Sequence, residues 1–263
     1  MQSGTYHEYV NVNKQLTLQG IDSGAGSPVV DGNGLGNGNI ITLNANGCTL
    51  DGFVATNSPN GYSGIRATST NNNISGNNAT GNYIGIDLRS SSGNTVSDNT
   101  ATDNYIGIFI VSSSSNTVSD NTASGNDFGI YLLSSSGNTI SGNTAIGGSC
   151  GIYIVSSSNS NTVSDNTATG NNVGIYFDSS SSNKISGNIA AGNINYAIFL
   201  CSSSNSNTFW NNTATGNAWG IYLDSSTGNT IYLNTFNSGR SNSANTWNST
   251  TKIAHRCSST YVG

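Results

Sequence analysis

The sequence predicts an all-β fold, a right-handed single-stranded parallel β-helix of about nine or ten turns, with about 22 residues and three short strands per turn. Three observations predict this solenoid. A Gly-Ile dipeptide returns at a nearly constant interval, apolar and polar residues alternate within short segments, and asparagine recurs at two fixed positions of each repeat. Helix-forming residues are rare, and the Leu-x-x-Leu-x-Leu pattern of leucine-rich repeats is missing, which favours β-strands in every part of the turn.

The Gly-Ile dipeptides mark the first β segment of each turn. They recur every 21 to 23 residues, at Gly64, Gly85, Gly107, Gly129, Gly151, Gly174, Ala197 (in place of glycine) and Gly220. Side chains alternate between the two faces of a strand. We therefore expect positions −1, +1 and +3 from the glycine to point inward. Examples are Ile106, Ile108 and Ile110 in one turn and Phe128, Ile130 and Leu132 in the next. Position +2 then points outward.

The second and third β segments each place one apolar residue inward. In the second segment these are Val96, Val118, Ile140, Val163, Ile185 and Ile231. In the third they are small: Ala101, Ala123, Ala145, Ala168, Ala190 and Ala214. Turns stacked about 4.8 Å apart bury these columns in one continuous core and pair each backbone group with the turns above and below.

Two asparagine columns fall between these segments. One runs through Asn94, Asn116, Asn138, Asn161, Asn183, Asn207 and Asn229, and the other through Asn99, Asn121, Asn143, Asn166, Asn188, Asn212 and Asn234. Asparagine tolerates the left-handed backbone of a corner, and stacked amides bond to one another. We interpret both columns as structural.

The repeat predicts a single domain in three parts. Residues 1–63 hold two irregular turns, residues 64–236 the regular repeats, and residues 237–263 a C-terminal cap. No signal-peptide pattern opens this sequence, and no apolar run reaches the roughly 18 residues of a membrane span. The four cysteines show no CxxC motif, so we expect Cys48 and Cys150 to be buried thiols and consider only a Cys201–Cys257 disulfide.

Repeats such as Gly-Ile-Tyr-Leu followed by Ser-Ser-Ser-Gly-Asn-Thr-Ile-Ser-Gly-Asn-Thr-Ala resemble the NosD-like, carbohydrate-binding and sugar-hydrolase (CASH) β-helix repeats, especially those of methanogen surface proteins. The resemblance covers nearly the whole chain. It implies an extracellular location and a family of adhesins, envelope proteins, lyases and hydrolases. NosD proteins are linked to copper-site maturation, but His7, His255 and Met1 are the only soft ligands here besides cysteine. We expect no metal site and no cofactor beyond a weakly held calcium ion.

An outward column of aromatic residues is the first candidate functional feature. It lies at position +2 and comprises Phe109, Tyr131, Tyr153, Tyr176, Phe199 and Tyr222. Six exposed aromatic side chains on consecutive turns would form an apolar strip. They either stack on one another, as aromatic residues do in strands, or form a surface for a glycan or a protein partner.

Charged residues form the second candidate. Arg66, Asp87 and Arg89 fall on adjacent turns, which predicts either a surface salt bridge or, through the resemblance to β-helix lyases, a candidate charged site. Asp98 and Asp120 would lie about 5 Å apart at a corner, the spacing of a glycosidase carboxylate pair. Glycines occupy the same slot in other turns, which favours turn chemistry there.

Hydroxyl residues form the third candidate, a regular grid on the outside of the third segment. Its members are Thr100, Thr102, Thr122, Ser124, Thr167, Thr169, Thr213 and Thr215. Columns about 6.6 Å apart along the strand and about 4.8 Å between turns resemble ice-binding β-solenoids. Threonine and serine are equally the ordinary residues of a solvated sheet.

Together these features predict a non-catalytic extracellular cell-surface protein that binds glycans or forms part of an envelope, sheath or surface layer through the aromatic strip. An ice-binding protein and a polysaccharide lyase or glycoside hydrolase are the alternatives. The expected partners are glycans or neighbouring copies of an envelope protein, with self-assembly. Lys and Arg total 7 against a net charge of −5, which predicts no nucleic-acid partner.

Overall fold

The computed structural model describes residues 1–237, which form a right-handed parallel β-helix of about eleven turns with about 22 residues per turn. The predicted architecture is confirmed. Within these residues the chain forms 31 strands, numbered β1 to β31 in chain order, and no helix. No segment of the described chain is therefore a helix long and apolar enough to span a membrane. Residues 238–263, including Cys257, His255 and nearly all of the expected cap, lie outside the description.

The strands assemble into three parallel sheets. Sheet 1 contains β1 (Thr5–Tyr6), β4 (Val29–Asp31), β7 (Val54–Thr56), β10 (Asn78–Thr80), β13 (Thr100–Thr102), β16 (Thr122–Ser124), β19 (Thr144–Ile146), β22 (Thr167–Thr169), β25 (Ile189–Ala191), β28 (Thr213–Thr215) and β31 (Thr235–Asn237). Sheet 2 contains β2 (Val10–Val12), β5 (Ile41–Leu43), β8 (Ser63–Ala67), β11 (Ile84–Arg89), β14 (Ile106–Val111), β17 (Phe128–Leu133), β20 (Cys150–Val155), β23 (Val173–Asp178), β26 (Tyr196–Cys201) and β29 (Trp219–Leu223). Sheet 3 contains β3 (Thr17–Gln19), β6 (Thr49–Asp51), β9 (Asn73–Ser75), β12 (Thr95–Ser97), β15 (Thr117–Ser119), β18 (Thr139–Ser141), β21 (Thr162–Ser164), β24 (Lys184–Ser186), β27 (Thr208–Trp210) and β30 (Thr230–Tyr232).

The number of turns exceeds the expected nine or ten because residues 1–63 contribute more than two. Strands β1 to β6 have only two or three residues each, and the paired residues Val10 and Ile41 of β2 and β5 are 31 positions apart, so the repeat of about 22 residues does not mark these turns. They nevertheless pair in register with the turns that follow, for example Ile41 with Ile65.

The core is a continuous cluster that runs along the axis of the helix. The inward positions +1 and +3 of sheet 2, such as Ile108 and Ile110, are fully buried, as are Val96 in sheet 3 and Ala101 in sheet 1. In-register pairing stacks equivalent residues, so that Ile108 pairs with Ile130 on the next turn. The predicted inward columns of these positions are confirmed.

Position −1 of sheet 2 was predicted to point inward, and this prediction is wrong. Ile106 and Phe128 belong with Phe109 to a second apolar cluster, separate from the core. The reason is the glycine at position 0: a Cβ on Gly107 would lie 3.2 Å from the Cβ of the core residue Ala123. Positions 0 and +1 thus both face the interior. This break in the alternation, typical of a glycine within a strand, turns position −1 outward.

Buried asparagine ladders hold the corners together, as predicted. Asn121 Nδ2 donates to Asn143 Oδ1 at 2.9 Å and to the carbonyl oxygen of Val96 at 2.9 Å, while its own Oδ1 accepts from Asn99 Nδ2 at 3.0 Å. A third ladder, which the sequence did not single out, comprises Asn82, Asn104 and Asn126 and, after an interruption at Gly148, Asn171, Asn193 and Asn217. Each amide thereby satisfies buried backbone groups of the adjacent turn.

Candidate functional site

The outer surface of sheet 2 is a broad apolar face, here called the outer aromatic face. Three columns form it, at positions −1, +2 and +4 from the glycine. The first column holds Ile84, Ile106, Phe128, Cys150, Val173, Tyr196 and Trp219. The second holds Phe109, Tyr131, Tyr153, Tyr176, Phe199 and Tyr222, and the third Val111, Leu133, Val155, Asp178 and Cys201.

The six predicted aromatic residues stack as a continuous ladder. Successive ring centroids lie 5.1, 5.0, 4.8, 4.8 and 5.6 Å apart from Phe109 to Tyr222. The rings were expected to be exposed, but Phe109 is buried and the other five are half-buried. Each inner ring has a neighbour on both sides, so it presents mainly its edge and, for tyrosine, its hydroxyl to solvent.

Further rings widen this ladder on the side of position −1. Phe128 stacks on Tyr153 with centroids 5.5 Å apart, and Tyr196 stacks on Phe199 at 4.8 Å. Trp219 meets Tyr222 edge to face at 5.4 Å. Sequence reasoning assigned Phe128 to the core and missed this second column. The glycine that follows position −1 in every regular turn except that of Ala197 was the available signal, because it marks where alternation fails.

Burial on this face shifts the pKa values of several tyrosine hydroxyls and of a cysteine thiol. Burial raises the pKa of Tyr153 and of the Cys150 thiol to about 12 each, and it also raises the pKa of Tyr131. Burial, together with a contact of 3.2 Å between the Tyr176 hydroxyl and the Cys201 Sγ, raises the pKa of Tyr176. These groups are therefore neutral at physiological pH, and the face carries hydroxyls without charge over most of its length.

The predicted charged cluster lies at the N-terminal end of the ladder. Asp87 occupies position +2 of β11 and pairs with Phe109 on the next turn and with Arg66 on the previous one. Its Oδ2 lies 3.2 Å from Arg89 Nε and 3.6 Å from Arg66 Nε. Burial raises the pKa of Asp87, and the two arginines oppose this effect. The spacing of the repeat thus correctly brought these three residues together.

The hydroxyl residues form the expected grid on the outside of sheet 1. Thr100 pairs with Thr122 and Thr167 with Thr144. Ile146, and Ile189 and Ala191 of β25, interrupt the array. The other grid members lie in the same two columns: Thr102, Ser124, Thr169, Thr213 and Thr215. A similar grid covers sheet 3 up to Trp210 and Tyr232, whose rings stack at 6.3 Å.

Corner carboxylates adopt turn geometry. Asp98 and Asp120 have φ values of 56° and 57°, and glycine occupies the equivalent slot at Gly142 with a φ of 66°. This left-handed backbone is favourable for aspartate and glycine. These residues lie between sheets 3 and 1, away from the outer aromatic face, and do not combine with Asp87.

Several solved structures share this fold. A mutant of the periplasmic alginate epimerase AlgG is 13% identical with a TM-score of 0.63, over 88% of this chain and 70% of that chain. An alginate lyase from Paenibacillus sp. str. FPU-7 is 16% identical with a TM-score of 0.60, over 90% and 88%. A tailspike protein 2 from Escherichia coli O157:H7 bacteriophage CAB120 is 15% identical with a TM-score of 0.54, over 88% and 38%. At such identities the likeness establishes the fold alone.

No curated protein sequence matches the chain, whereas two protein families do. Residues 29–168 match the right-handed β-helix region, and residues 107–261 match the periplasmic copper-binding protein NosD. Residues 1–237 contain no group of three or more His, Cys, Asp or Glu that could hold a metal ion. The Nδ1 atom of His7, the one histidine among the described residues, lies 3.6 Å from Asp31 Oδ2. Since each match covers more than half of the chain, the protein belongs to the NosD-like family of right-handed β-helix repeat proteins.

Proposed function

We propose that this protein is a non-catalytic component of the cell surface that binds a polysaccharide along the outer aromatic face. The observation that carries the proposal is the unbroken ladder of six rings on consecutive turns. The ladder repeats about every 4.8 Å along the axis. A regular polymer of sugar units can therefore make the same contact on several turns, and weak individual contacts add up.

The chemistry of the face suits a carbohydrate. Tyrosine combines an apolar ring with a polar tip, and sugars likewise present C–H groups beside hydroxyls. Tyr131, Tyr153 and Tyr176 supply three neutral hydroxyls in a row. The ring edges would contact sugar C–H groups, while the phenolic hydroxyls exchange hydrogen bonds with sugar hydroxyls.

Two comparisons support this reading. The solved structures with this fold include an alginate epimerase and an alginate lyase, so the fold is one that carries proteins directed at polysaccharides. The description of NosD as periplasmic supports a location outside the cytoplasm.

A binding role accounts for the acidic residues better than the enzyme alternative. Hydrolysis of a glycosidic bond by the usual route needs a pair of carboxyl groups about 5 to 9.5 Å apart across the scissile bond. Beside the ladder, Asp87 has its Oδ2 engaged by two arginines. The aspartates that recur together, Asp98 and Asp120, belong to turns at a different corner.

A glycan array probed with the purified chain tests the proposal, with light scattering after size exclusion to report the assembly state. We expect binding to a defined class of polysaccharide that Tyr153→Ala or Tyr176→Ala abolishes. Tyr232→Ala is the matched control, because it removes a half-buried outer tyrosine from sheet 3. Circular dichroism checks that each variant keeps its fold.

Two outcomes would overturn the proposal. Binding that Tyr232→Ala removes and Tyr153→Ala leaves intact would place the glycan surface on another sheet. A blank array, together with oligomers that form with rising concentration and disappear in Tyr153→Ala, would make the outer aromatic face a contact between copies of an envelope protein.

A further inference from the structure

The outer surface of sheet 2 changes from polar to aromatic within two turns. Along position +2 the residues of successive strands are Thr42, Arg66, Asp87 and then Phe109. Arg89, at position +4 of β11, stands beside this column and pairs with Val111. The N-terminal end of the aromatic ladder therefore meets two arginines and one aspartate.

The three charged side chains form one compact cluster. Asp87 is only 1% exposed, and its Oδ2 contacts both arginines and accepts a hydrogen bond of 3.4 Å from the Ser63 hydroxyl. The Arg89 guanidinium lies 5.5 Å from the centre of the Phe109 ring, a cation–π contact. Arg89 is thus in direct contact with Phe109, which is the first ring of the ladder.

The hydrogen bonding of this cluster is incomplete. Asp87 Oδ1 and Arg66 Nε are both buried and have no hydrogen-bond partner. A buried polar atom without a partner is unfavourable and rare in folded proteins. An ion pair that served only the fold would be expected to satisfy these atoms. The Arg66 guanidinium lies farther from Asp87 Oδ2 than that of Arg89, at 3.6 Å against 3.2 Å, so it keeps N–H donors for an acceptor group of a ligand.

The charge of the cluster is also unbalanced. Two guanidinium groups share one carboxylate, in a chain with only 7 Lys and Arg and a net charge of −5. The Arg66 and Arg89 side chains remain 26% and 36% exposed, so solvent-borne groups reach them. Guanidinium groups match the fork geometry of a carboxylate and bond to it more strongly than neutral donors do.

We propose that Arg66 and Arg89 bind a carboxylate of an acidic polysaccharide at the N-terminal end of the outer aromatic face. This inference rests on the proposed function, because it assigns the class of polymer that the same face takes. The ladder contacts the sugar units by their C–H groups and hydroxyls, and the arginine pair selects chains that carry carboxylates.

Isothermal titration with three probes tests the inference: an oligogalacturonate, its counterpart with carboxyl groups reduced to alcohols, and a sulfated neutral oligosaccharide of similar length. We expect the oligogalacturonate to bind about tenfold tighter than the reduced oligomer, the size of one charge-assisted hydrogen bond. Arg66→Gln and Arg89→Gln should each remove this preference.

Lys184→Gln is the matched control. It removes the same charge from the exposed outer surface of sheet 3, so it changes the long-range field but not the cluster, and the preference for oligogalacturonate should persist. Thermal unfolding of each variant shows whether the fold is retained, and Arg→Lys at either position should restore part of the preference through charge alone.

Several outcomes would overturn the inference. Equal binding of the acidic and reduced oligomers, lost in Tyr153→Ala and unaffected by Arg66→Gln, would refute the carboxylate site while the proposed function stands. Tighter binding of the sulfated probe would assign the arginines to sulfate esters instead. Absence of binding to all three probes, together with a blank glycan array, would refute both proposals.

Discussion

The outer surface of sheet 2 differs sharply from the outer surfaces of sheets 1 and 3, although the three share one core. Strand β14 in sheet 2 has six residues, whereas β15 and β16 in the other sheets have three. The longer strands present three outward columns, in which aromatic and aliphatic residues predominate. The shorter strands present two columns in which threonine and serine predominate, interrupted for example by Ile146 and Lys184. Because sheets 1 and 3 form in the same register with hydroxyl residues outside, an apolar exterior is not required for the fold. The proposed binding role rests on this difference between the sheets.

The largest effects are expected inside, where the sheets do not differ. Ile130 of sheet 2 and Ile140 of sheet 3 are both fully buried, so alanine at either position leaves a cavity in the same core. We expect Ile130→Ala and Ile140→Ala each to lower the free energy of unfolding by about 2–5 kcal/mol, measured by urea denaturation. A near-neutral effect of Ile140→Ala alone would show that the interiors of the two sheets are not equivalent.

An intermediate effect is expected at Cys150, which is on the outside of sheet 2 yet only 7% exposed. Burial, followed by the charge of Asp127, raises the pKa of its thiol from 9.0 to about 12. Thiolate is the reactive form. Cys150 should therefore react with iodoacetamide orders of magnitude more slowly in the native chain than in urea at the same mildly alkaline pH, as measured by peptide mass spectrometry.

The same pKa shift makes the stability of the fold depend on pH. The pKa of the Cys150 thiol in the folded chain lies above the unfolded value, so its contribution to the free energy of unfolding is complete below pH 9 and is lost as pH rises toward 12. Burial raises the pKa of Tyr153 from 10.0 to about 12, so its contribution is lost over the upper part of this range. The unfolding temperature should therefore fall as pH rises from 9 to 12.

Alkylation of Cys150 in the native chain at the rate of the unfolded chain would contradict the prediction for its reactivity. It would show that the outer aromatic face is open to solvent at Cys150.

The smallest effect is expected on the hydroxyl surface of sheet 1. Thr122 is exposed, so Thr122→Tyr should change the free energy of unfolding by no more than about 0.5 kcal/mol and leave glycan binding intact. The same variant tests the ice-binding alternative by nanolitre osmometry. Thermal hysteresis of the native chain that Thr122→Tyr removes would reverse the comparison and make the hydroxyl grid the functional surface.

Much of the fold follows from spacing alone. A repeat of about 22 residues places the counterparts of Ile108, of Val96 and of Ala101 at the same three positions in each turn. Stacking in register then requires equivalent residues of neighbouring turns to meet. The same reasoning correctly brought Arg66 and Asp87 onto neighbouring strands. The prediction failed at Phe128, because the alternation rule assumes a regular strand. Gly107 and its equivalents break that regularity.

The depth of burial at the candidate site did not follow from the sequence. Alternation correctly placed Asp87 outside the core, but neighbouring side chains from two turns leave it 1% exposed. The rings of the ladder are likewise half-buried by their neighbours and not by the core. Burial of an outward residue depends on side chains that approach from adjacent turns, and their conformations are set by packing.

The periodic sequence specifies the solenoid, the contents of its columns and the residues that meet between turns, because hydrogen bonding between parallel strands allows one register when one face must be buried. Tertiary structure decides the rest. The break in alternation after position −1 turns that position outward and joins Phe128, Tyr196 and Trp219 to the ladder. The approach of two arginines to a buried carboxylate, with Asp87 Oδ1 left unpaired, likewise depends on backbone curvature and side-chain packing, which no linear spacing encodes.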